Sequence, residues 1–160
     1  MAWNWVSVTS WAPVEPGERQ GWHPLSRVSA EADPAAPFWR GEPGAAPTPC
    51  ALPMEGGPVR RKPGASACAG TGLAALLRRG AIGRLVIAGA VAAFCGTATT
   101  RSASDPGFAV IRPGDVRIGF DKATPDGGRI AAEGVLRVTL SLPGFDLARL
   151  VTPGQAGSRL

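Results

Sequence analysis

The sequence is poor in the residues from which metal sites and disulfide frameworks are built. Its 160 residues include three cysteines and one histidine, His23, and no two cysteines form a Cys-x-x-Cys pair. A structural zinc site needs about four closely spaced Cys or His ligands, so we expect no metal and no other cofactor. An odd number of widely separated cysteines also argues against structural disulfides, which is typical of the reducing cytoplasm.

Segments that would direct the chain to a membrane are also lacking. The first residues, MAWNWVSV, have neither the basic start nor the apolar stretch of a signal peptide. The uncharged stretch at residues 85–98 is shorter than the roughly 20 residues of a spanning helix. We therefore expect no membrane partner.

Positive charge exceeds negative charge without forming a nucleic-acid surface. The net charge is +5, from 17 Lys and Arg against 12 Asp and Glu. These basic residues are scattered, and no aromatic side chains alternate with them as a nucleic-acid platform requires. The simplest interpretation is solvated surface and helix ends, and we expect no nucleic-acid partner.

Proline and tryptophan are concentrated in the N-terminal part of the chain. All five tryptophans lie at or before Trp39, and most of the 16 prolines precede residue 64. Residues 5–10 alternate between apolar and polar side chains as a strand does, but no sustained period follows before residue 58. The sequence predicts an irregular, partly disordered segment at residues 1–57 with one short strand.

Regular structure is predicted from residue 58 onward. Thr71 is a candidate helix cap, and Gly80 is a candidate helix stop. An uninterrupted apolar run at residues 84–88 is typical of a strand buried on both faces of a parallel sheet. Further elements are predicted as a strand at 58–62, a helix at about 94–104, a strand at 108–111 and a helix at 130–141. Alternating strands and helices predict an α/β fold with a parallel sheet at residues 58–152, and residues 153–160 are expected to be a frayed tail.

Lys62 and Cys95 are candidate members of a nucleophilic site. Lys62 ends one predicted strand and Cys95 follows another, and the carboxyl ends of parallel strands meet at one edge of a sheet. A nearby lysine and the free amides of a helix start both favour a thiolate, which is the nucleophilic form of cysteine. The same amides can bind an oxyanion, which is the logic of acyl transfer.

Other interpretations of the cysteines stay open. A lone cysteine beside an apolar strand is often a small buried hydrophobic residue, and this applies to Cys95. Cys68 precedes a predicted helix and is a second candidate for a thiol at a helix start. Cys50 lies among prolines, where we expect no function.

Residues 62–95 resemble the isochorismatase-like cysteine hydrolases. The family string is K-x-x-x-S-A-F-x-G-T-x-L, then L-R-x-x-G-I-x-x-L-V-I-A-G, then a loop that ends in the nucleophilic cysteine. Here Lys62 begins the string, Leu85-Val-Ile-Ala-Gly89 ends its second part, and Cys95 closes the loop. The resemblance extends over about residues 58–152. It implies a doubly wound parallel sheet with flanking helices, and hydrolysis of amide-type C–N bonds in small molecules by an Asp–Lys–Cys triad.

The resemblance implies a role for several residues of this chain. Cys95 is the expected nucleophile and Lys62 its cationic partner, and the backbone amides of Val91 and Cys95 are the expected oxyanion donors. A substrate pocket is expected beside three side chains: Trp22, His23 and Phe94. Some family members carry a metal-binding Asp-x-His near residue 23, but Gly21 stands in place of the aspartate, so no metal is expected there.

The family pattern is not matched everywhere. The triad aspartate belongs to the family's first strand, whereas the first 32 residues here contain no aspartate. Residues 5–10 are more similar to the family's second strand, so the first strand and first helix are expected to be missing. A carboxylate from Glu15, Glu18 or Glu31 would have to replace the aspartate.

The cysteine loop departs from the pattern too. Its usual polar residues are replaced by Ala92, Ala93 and Phe94, and the usual bulky apolar residue after the cysteine is Gly96. Two functions remain as hypotheses. The first is a small-molecule amidohydrolase. The second is an N-terminally incomplete or degenerate family member that acts as a binding or oligomerisation module, because an unfilled sheet position invites self-association. A homo-oligomer is expected in either case.

Overall fold

The structure is a computed structural model, and it describes residues 5–10, 23–25, 62–113, 117–141 and 148–151. The strands are β1 Trp5–Ser10, β2 His23–Leu25, β3 Arg84–Ala90, β4 Ala109–Pro113, β5 Arg117–Ile118, β6 Lys122–Ala123, β7 Arg129–Ile130 and β8 Arg149–Val151. The α-helices are α1 Leu73–Arg79, α2 Thr97–Ser104 and α3 Ala132–Ser141. A π-helical turn at Ala92–Gly96, called the cysteine turn below, joins β3 to α2.

The main sheet has the order β2-β1-β3-β4-β8. Strands β3, β4 and β8 run parallel, and β5 pairs in parallel with the last residues of β3. This confirms the predicted α/β fold. The two N-terminal strands run antiparallel, β1 to β3 and β2 to β1. The alternation in residues 5–10 predicted the strand correctly, but a side-chain period of two carries no information on strand direction.

Strand β3 is paired along both edges. Residues 85–90 pair with β1, while β4 pairs with the start of β3 and β5 with its end. Strand β1 therefore fills one of the positions beside β3. Leu85, Val86 and Ile87 are buried, as expected for an apolar strand with neighbours on both sides.

Helix α1 packs against the sheet through Leu73 and Leu77, which join Leu85, Ile87 and Val110 in the core. Gly72 is the residue that precedes the helix, and Thr71 Oγ1 accepts a hydrogen bond from the Leu73 N–H over 3.2 Å. Thr71, the predicted cap, therefore lies one residue before the N-cap position, which Gly72 occupies. Gly80 ends the helix as predicted.

Several short elements were not predicted. They are β2, β5, the hairpin of β6 and β7, and β8, and each strand has two or three residues. The predicted helix at 94–104 begins as the cysteine turn, and the helix predicted at 130–141 begins at Ala132. Of the predicted strand at 58–62, only Lys62 lies within the described residues. No helix in the described ranges combines the length and the apolar character needed to cross a membrane.

Candidate active site

The cysteine turn holds Cys95 just beyond the end of β3. The Val91 carbonyl accepts hydrogen bonds from the Phe94 and Gly96 amides at 3.1 and 3.2 Å, which are the amides on either side of Cys95. Thr97 Oγ1 donates to the Ala92 carbonyl over 2.9 Å and secures the other end. Cys95 is 6% exposed. A π-helical turn of this kind is rare and is frequently found at functional sites.

Lys62 and Cys95 are in direct contact. Lys62 Nζ lies 3.3 Å from Cys95 Sγ and donates a hydrogen bond to it. Lys62 is 1% exposed, so the ammonium and the thiol meet in the protein interior. Nζ also donates to the Gly64 carbonyl over 2.8 Å, which fixes its position beside the sulfur. The structure therefore brings together the two residues that the sequence proposed as a pair.

The loop that carries Lys62 is fixed by its own hydroxyl groups. Ser66 Oγ accepts hydrogen bonds from the Cys68 and Ala69 amides at 3.0 and 3.3 Å. Thr71 Oγ1 donates to the Ala67 carbonyl over 2.5 Å. Hydrogen bonds between Ser or Thr side chains and nearby backbone groups stabilise loops that lack regular secondary structure. The Ser and Thr of the sequence motif thus hold the lysine's loop in shape.

The described part of the site contains buried cations and no buried carboxylate. Lys62 and Arg112 are the charged residues among the buried polar ones there. Asp105, Asp121, Asp126 and Glu133 are all exposed. The glutamates considered as replacements for the triad aspartate, Glu15, Glu18 and Glu31, lie outside the described residues. Two of three expected triad members are therefore located.

Phe94 lies at the surface next to the buried Cys95. Its side chain is 51% exposed, and Lys122 Nζ sits 4.2 Å from the centre of its ring. Of the other proposed pocket residues, Trp22 is outside the described residues, and His23 is described only as the first residue of β2. Their part in a pocket stays a prediction, as does the oxyanion role of the Val91 and Cys95 amides.

Cys68 is the other cysteine within the described residues. Its side chain is half-buried and packs against the hydrophobic core, the cluster to which Cys95 also belongs. Cys50 is outside the described residues. Within the ranges that the structure describes, no three His, Cys, Asp or Glu side chains cluster as metal ligands.

Arg112 is a site residue that the sequence did not reveal. It lies on β4, is 2% exposed, and directs Nη2 to within 3.5 Å of the Ala92 carbonyl. A Cβ atom on Gly96 would lie 2.8 Å from the same nitrogen. An arginine after the apolar run of β4 is usually interpreted as a strand end that faces solvent. Gly96 was the one feature of the sequence that pointed to it, because a residue without a side chain leaves room for a neighbouring group.

Comparison with known proteins identifies relatives of this fold and sequence. A sequence model described as the isochorismatase domain matches residues 18–124. A hydrolase of the isochorismatase family from Chromobacterium violaceum is 32% identical with a TM-score of 0.76, and the match covers 81% of this chain and 67% of that one. An isochorismatase hydrolase from Oleispira antarctica is 28% identical with a TM-score of 0.74, over 81% and 68% of the two chains.

A third structure shares the fold at lower sequence similarity. It is a cysteine hydrolase from Pseudomonas syringae, 20% identical, with a TM-score of 0.69 over 74% of this chain and 55% of that one. The chain therefore spans about two thirds of the first two proteins and just over half of the third.

Proposed function

Since the chain belongs to the isochorismatase family of hydrolases, we propose that it hydrolyses an amide-type C–N bond in a small molecule, with Cys95 as the nucleophile. The proposal depends on one observation above all, the 3.3 Å contact between Lys62 Nζ and Cys95 Sγ inside the protein. A buried ammonium beside a thiol favours the thiolate, which is the form of cysteine that attacks carbonyl carbon.

The first half of the reaction forms a thioester. The Cys95 sulfur attacks the carbonyl carbon of the substrate, a C–S bond forms, and the carbonyl oxygen becomes an oxyanion. We assign the binding of this oxyanion to the amides of Val91 and Cys95. When the tetrahedral intermediate collapses, the C–N bond breaks and the nitrogen leaves as an amine or ammonia, carrying the proton that the thiol gave up.

The second half releases the product. Water attacks the thioester carbon, its OH group completes a carboxylic acid, and its remaining proton returns to the Cys95 sulfur. The Lys62 ammonium, in contact with the sulfur, stabilises the negative charge that develops there in both halves. An Asp–Lys–Cys triad also needs a carboxylate that accepts the thiol's proton. The carboxylates of the described residues are all exposed, and we assign that role to none of them.

Differential labelling and hydrolysis test this function. Iodoacetamide should modify Cys95 faster than Cys68 and Cys50 in the folded protein, and the three should react alike in denaturant. Cys95→Ala should abolish hydrolysis of a panel of small amides, whereas the matched variant Cys68→Ala should retain it. Equal labelling of all three cysteines in the folded protein, or full activity of Cys95→Ala, would contradict the proposal.

A non-catalytic role is the second candidate. It is favoured by the exposure of every carboxyl group in the described ranges. On this hypothesis the fold serves binding or self-association in the cytoplasm, and the outer strands of the described sheet, β2 and β8, are the edges available for it. Light scattering after size exclusion tests it: a stable monomer that hydrolyses amides would exclude it, and an inactive dimer would favour it.

A further inference from the structure

Both lysines of the chain contact the cysteine turn. The basic residues are otherwise arginines, and the two lysines are Lys62 and Lys122. Lys62 Nζ lies 3.3 Å from Cys95 Sγ, and Lys122 Nζ lies 4.2 Å from the centre of the Phe94 ring. Phe94 and Cys95 are consecutive residues, so their Cα atoms are about 3.8 Å apart. Two ammonium groups from distant parts of the sequence are therefore brought to neighbouring side chains of one turn.

The Phe94 ring holds the Lys122 ammonium without neutralising it. Lys122 lies on β6 and is half-buried, and Phe94 is 51% exposed. The face of an aromatic ring attracts a cation through its quadrupole and carries no net negative charge. The contact therefore fixes the ammonium next to the residue that precedes Cys95, partly open to solvent, and leaves its positive charge unbalanced.

The carboxylates nearest to Lys122 in the sequence are bonded to other groups. Asp121 precedes it, but the two oxygens of Asp121 accept hydrogen bonds from the Ala132 N–H and from Arg129. Asp126, in the turn of the same hairpin, accepts hydrogen bonds from groups of that turn. The ion pair found within the described ranges joins Arg129 to Asp121, and Lys122 belongs to none there. Its ammonium can therefore bind an anion that arrives from solvent.

We propose that Lys122 is a specificity-determining residue: its ammonium binds a carboxylate of the substrate while the amide carbonyl of the substrate meets Cys95. The proposal rests on the proposed role of Cys95 as the nucleophile, and it narrows the substrates to amides that also carry a carboxylate. A bond between an ammonium and a carboxylate is charge-assisted and stronger than a neutral hydrogen bond. Solvent screens the effect of Lys122 on the sulfur, whereas a carboxylate in contact with the ammonium is screened far less.

A structural role for Lys122 is the alternative. On that interpretation the aliphatic part of the lysine covers the exposed Phe94 ring, as long basic side chains commonly do on apolar surface. Loss of the ammonium would then lower the stability of the protein and leave its choice of substrate unchanged. The two roles differ in what they predict for matched pairs of anionic and neutral compounds.

Matched pairs of amides test the proposal. Malonamate, succinamate and glutaramate each carry one carboxylate, and malonamide, succinamide and glutaramide are neutral compounds of nearly the same shape. We expect the native protein to prefer at least one of the acids to its diamide in kcat/KM. Lys122→Met should lower that preference at least about threefold, mainly through a higher KM for the acid. Lys122→Arg should retain most of the preference because it keeps the charge. The matched control is Arg79→Gln, which removes an exposed charge at the end of α1 and should leave the preference unchanged.

Two further measurements keep the test decisive. If none of these amides is hydrolysed, the rates at which iodoacetate and iodoacetamide alkylate Cys95 replace them, each taken relative to its rate in denaturant. The ratio of iodoacetate to iodoacetamide should fall at least about twofold in Lys122→Met. If Lys122→Met does not fold, the native protein is measured in increasing NaCl, where its preference for the anionic compound should decline as salt screens the ammonium.

One set of results would overturn the proposal. It is a preference for the anionic compound that is the same in the native protein and in Lys122→Met, that falls equally in Arg79→Gln, or that does not respond to salt. The proposed function fails by a different result, the equal labelling of all three cysteines by iodoacetamide in the native protein.

Discussion

The backbone N–H of Ala67 donates a hydrogen bond to Thr99 Oγ1 over 3.0 Å, and both residues are fully buried. This bond joins the loop that carries Lys62 to α2, the helix that continues from the cysteine turn. The two halves of the Lys62–Cys95 pair are 33 residues apart in the chain. Their distance in space therefore depends on contacts of this kind between the two segments.

Thr99→Val tests that link. Valine has nearly the shape of threonine but cannot accept a hydrogen bond, so the buried Ala67 N–H loses its partner. We expect a loss of about 1–3 kcal/mol in the free energy of unfolding, measured by urea denaturation, and slower labelling of Cys95. Ser102→Ala is the matched control, because Ser102 Oγ donates to the Ala98 carbonyl of its own helix and so joins no two segments. The control should change stability by about 0.5 kcal/mol or less. Equal effects of the two variants would show that the buried bond does not hold the loop.

Lys62→Met removes the ammonium beside the sulfur and keeps an unbranched side chain of similar length. An opposite charge in contact with a thiol favours the thiolate, so we expect labelling of Cys95 at pH 7 to slow about tenfold or more. The chain's other lysine provides the control. Lys122 lies over the exposed Phe94 ring, and Lys122→Met should leave the rate within about twofold because solvent screens its charge. A similar fall in both variants would indicate a general effect of net charge and would contradict a specific role for Lys62.

The sequence predicts the parts of the site that follow from chain connectivity. Lys62 and Cys95 could be paired because Lys62 ends one predicted strand and Cys95 follows another, and β3 was clear from its apolar run. Strands β6, β7 and β8 were missed because two or three residues are too few to show a period of two. Arg112 was missed for another reason. Its burial depends on the space beside Gly96, and such space is a property of packing between segments that no local pattern records.

Ala81 offers a test of local backbone strain. It follows the end of α1 and has a φ of 54°, a conformation that side chains with a Cβ atom rarely adopt. Ala81→Gly should stabilise the protein by about 1 kcal/mol, because the left-handed conformation costs alanine roughly that amount. Gly107→Ala is the reverse experiment. Gly107 has a φ of 92°, and an added Cβ would meet no atom within 4 Å. Gly107→Ala should destabilise the protein through backbone strain alone. If the melting temperatures of Ala81→Gly and Gly107→Ala moved in the same direction, this argument would be contradicted.

Asp121 is expected to make stability depend on pH in the acid range. Its Oδ1 accepts a hydrogen bond from the Ala132 N–H at the start of α3 over 2.7 Å, and Oδ2 pairs with Arg129. The Ala132 N–H bond, and after it the Arg129 guanidinium, hold the pKa of Asp121 below its ordinary value of 3.8. The folded state thus favours the ionised carboxylate. This stabilisation is fully present above that ordinary value and is lost as the pH falls through the lower pKa of the folded state.

Asp121→Asn removes the charge while its amide oxygen can still accept the Ala132 N–H. We expect the native protein to be the more stable of the two at pH 7, and their urea midpoints to converge as the pH falls from about 5 to 2. Arg129→Gln is the control. It leaves the backbone bond, which is the larger cause of the lowered pKa, so its difference from the native protein should be smaller. A gap between native protein and Asp121→Asn that stayed constant from pH 7 to 2 would mean that the charge of Asp121 does not stabilise the start of α3.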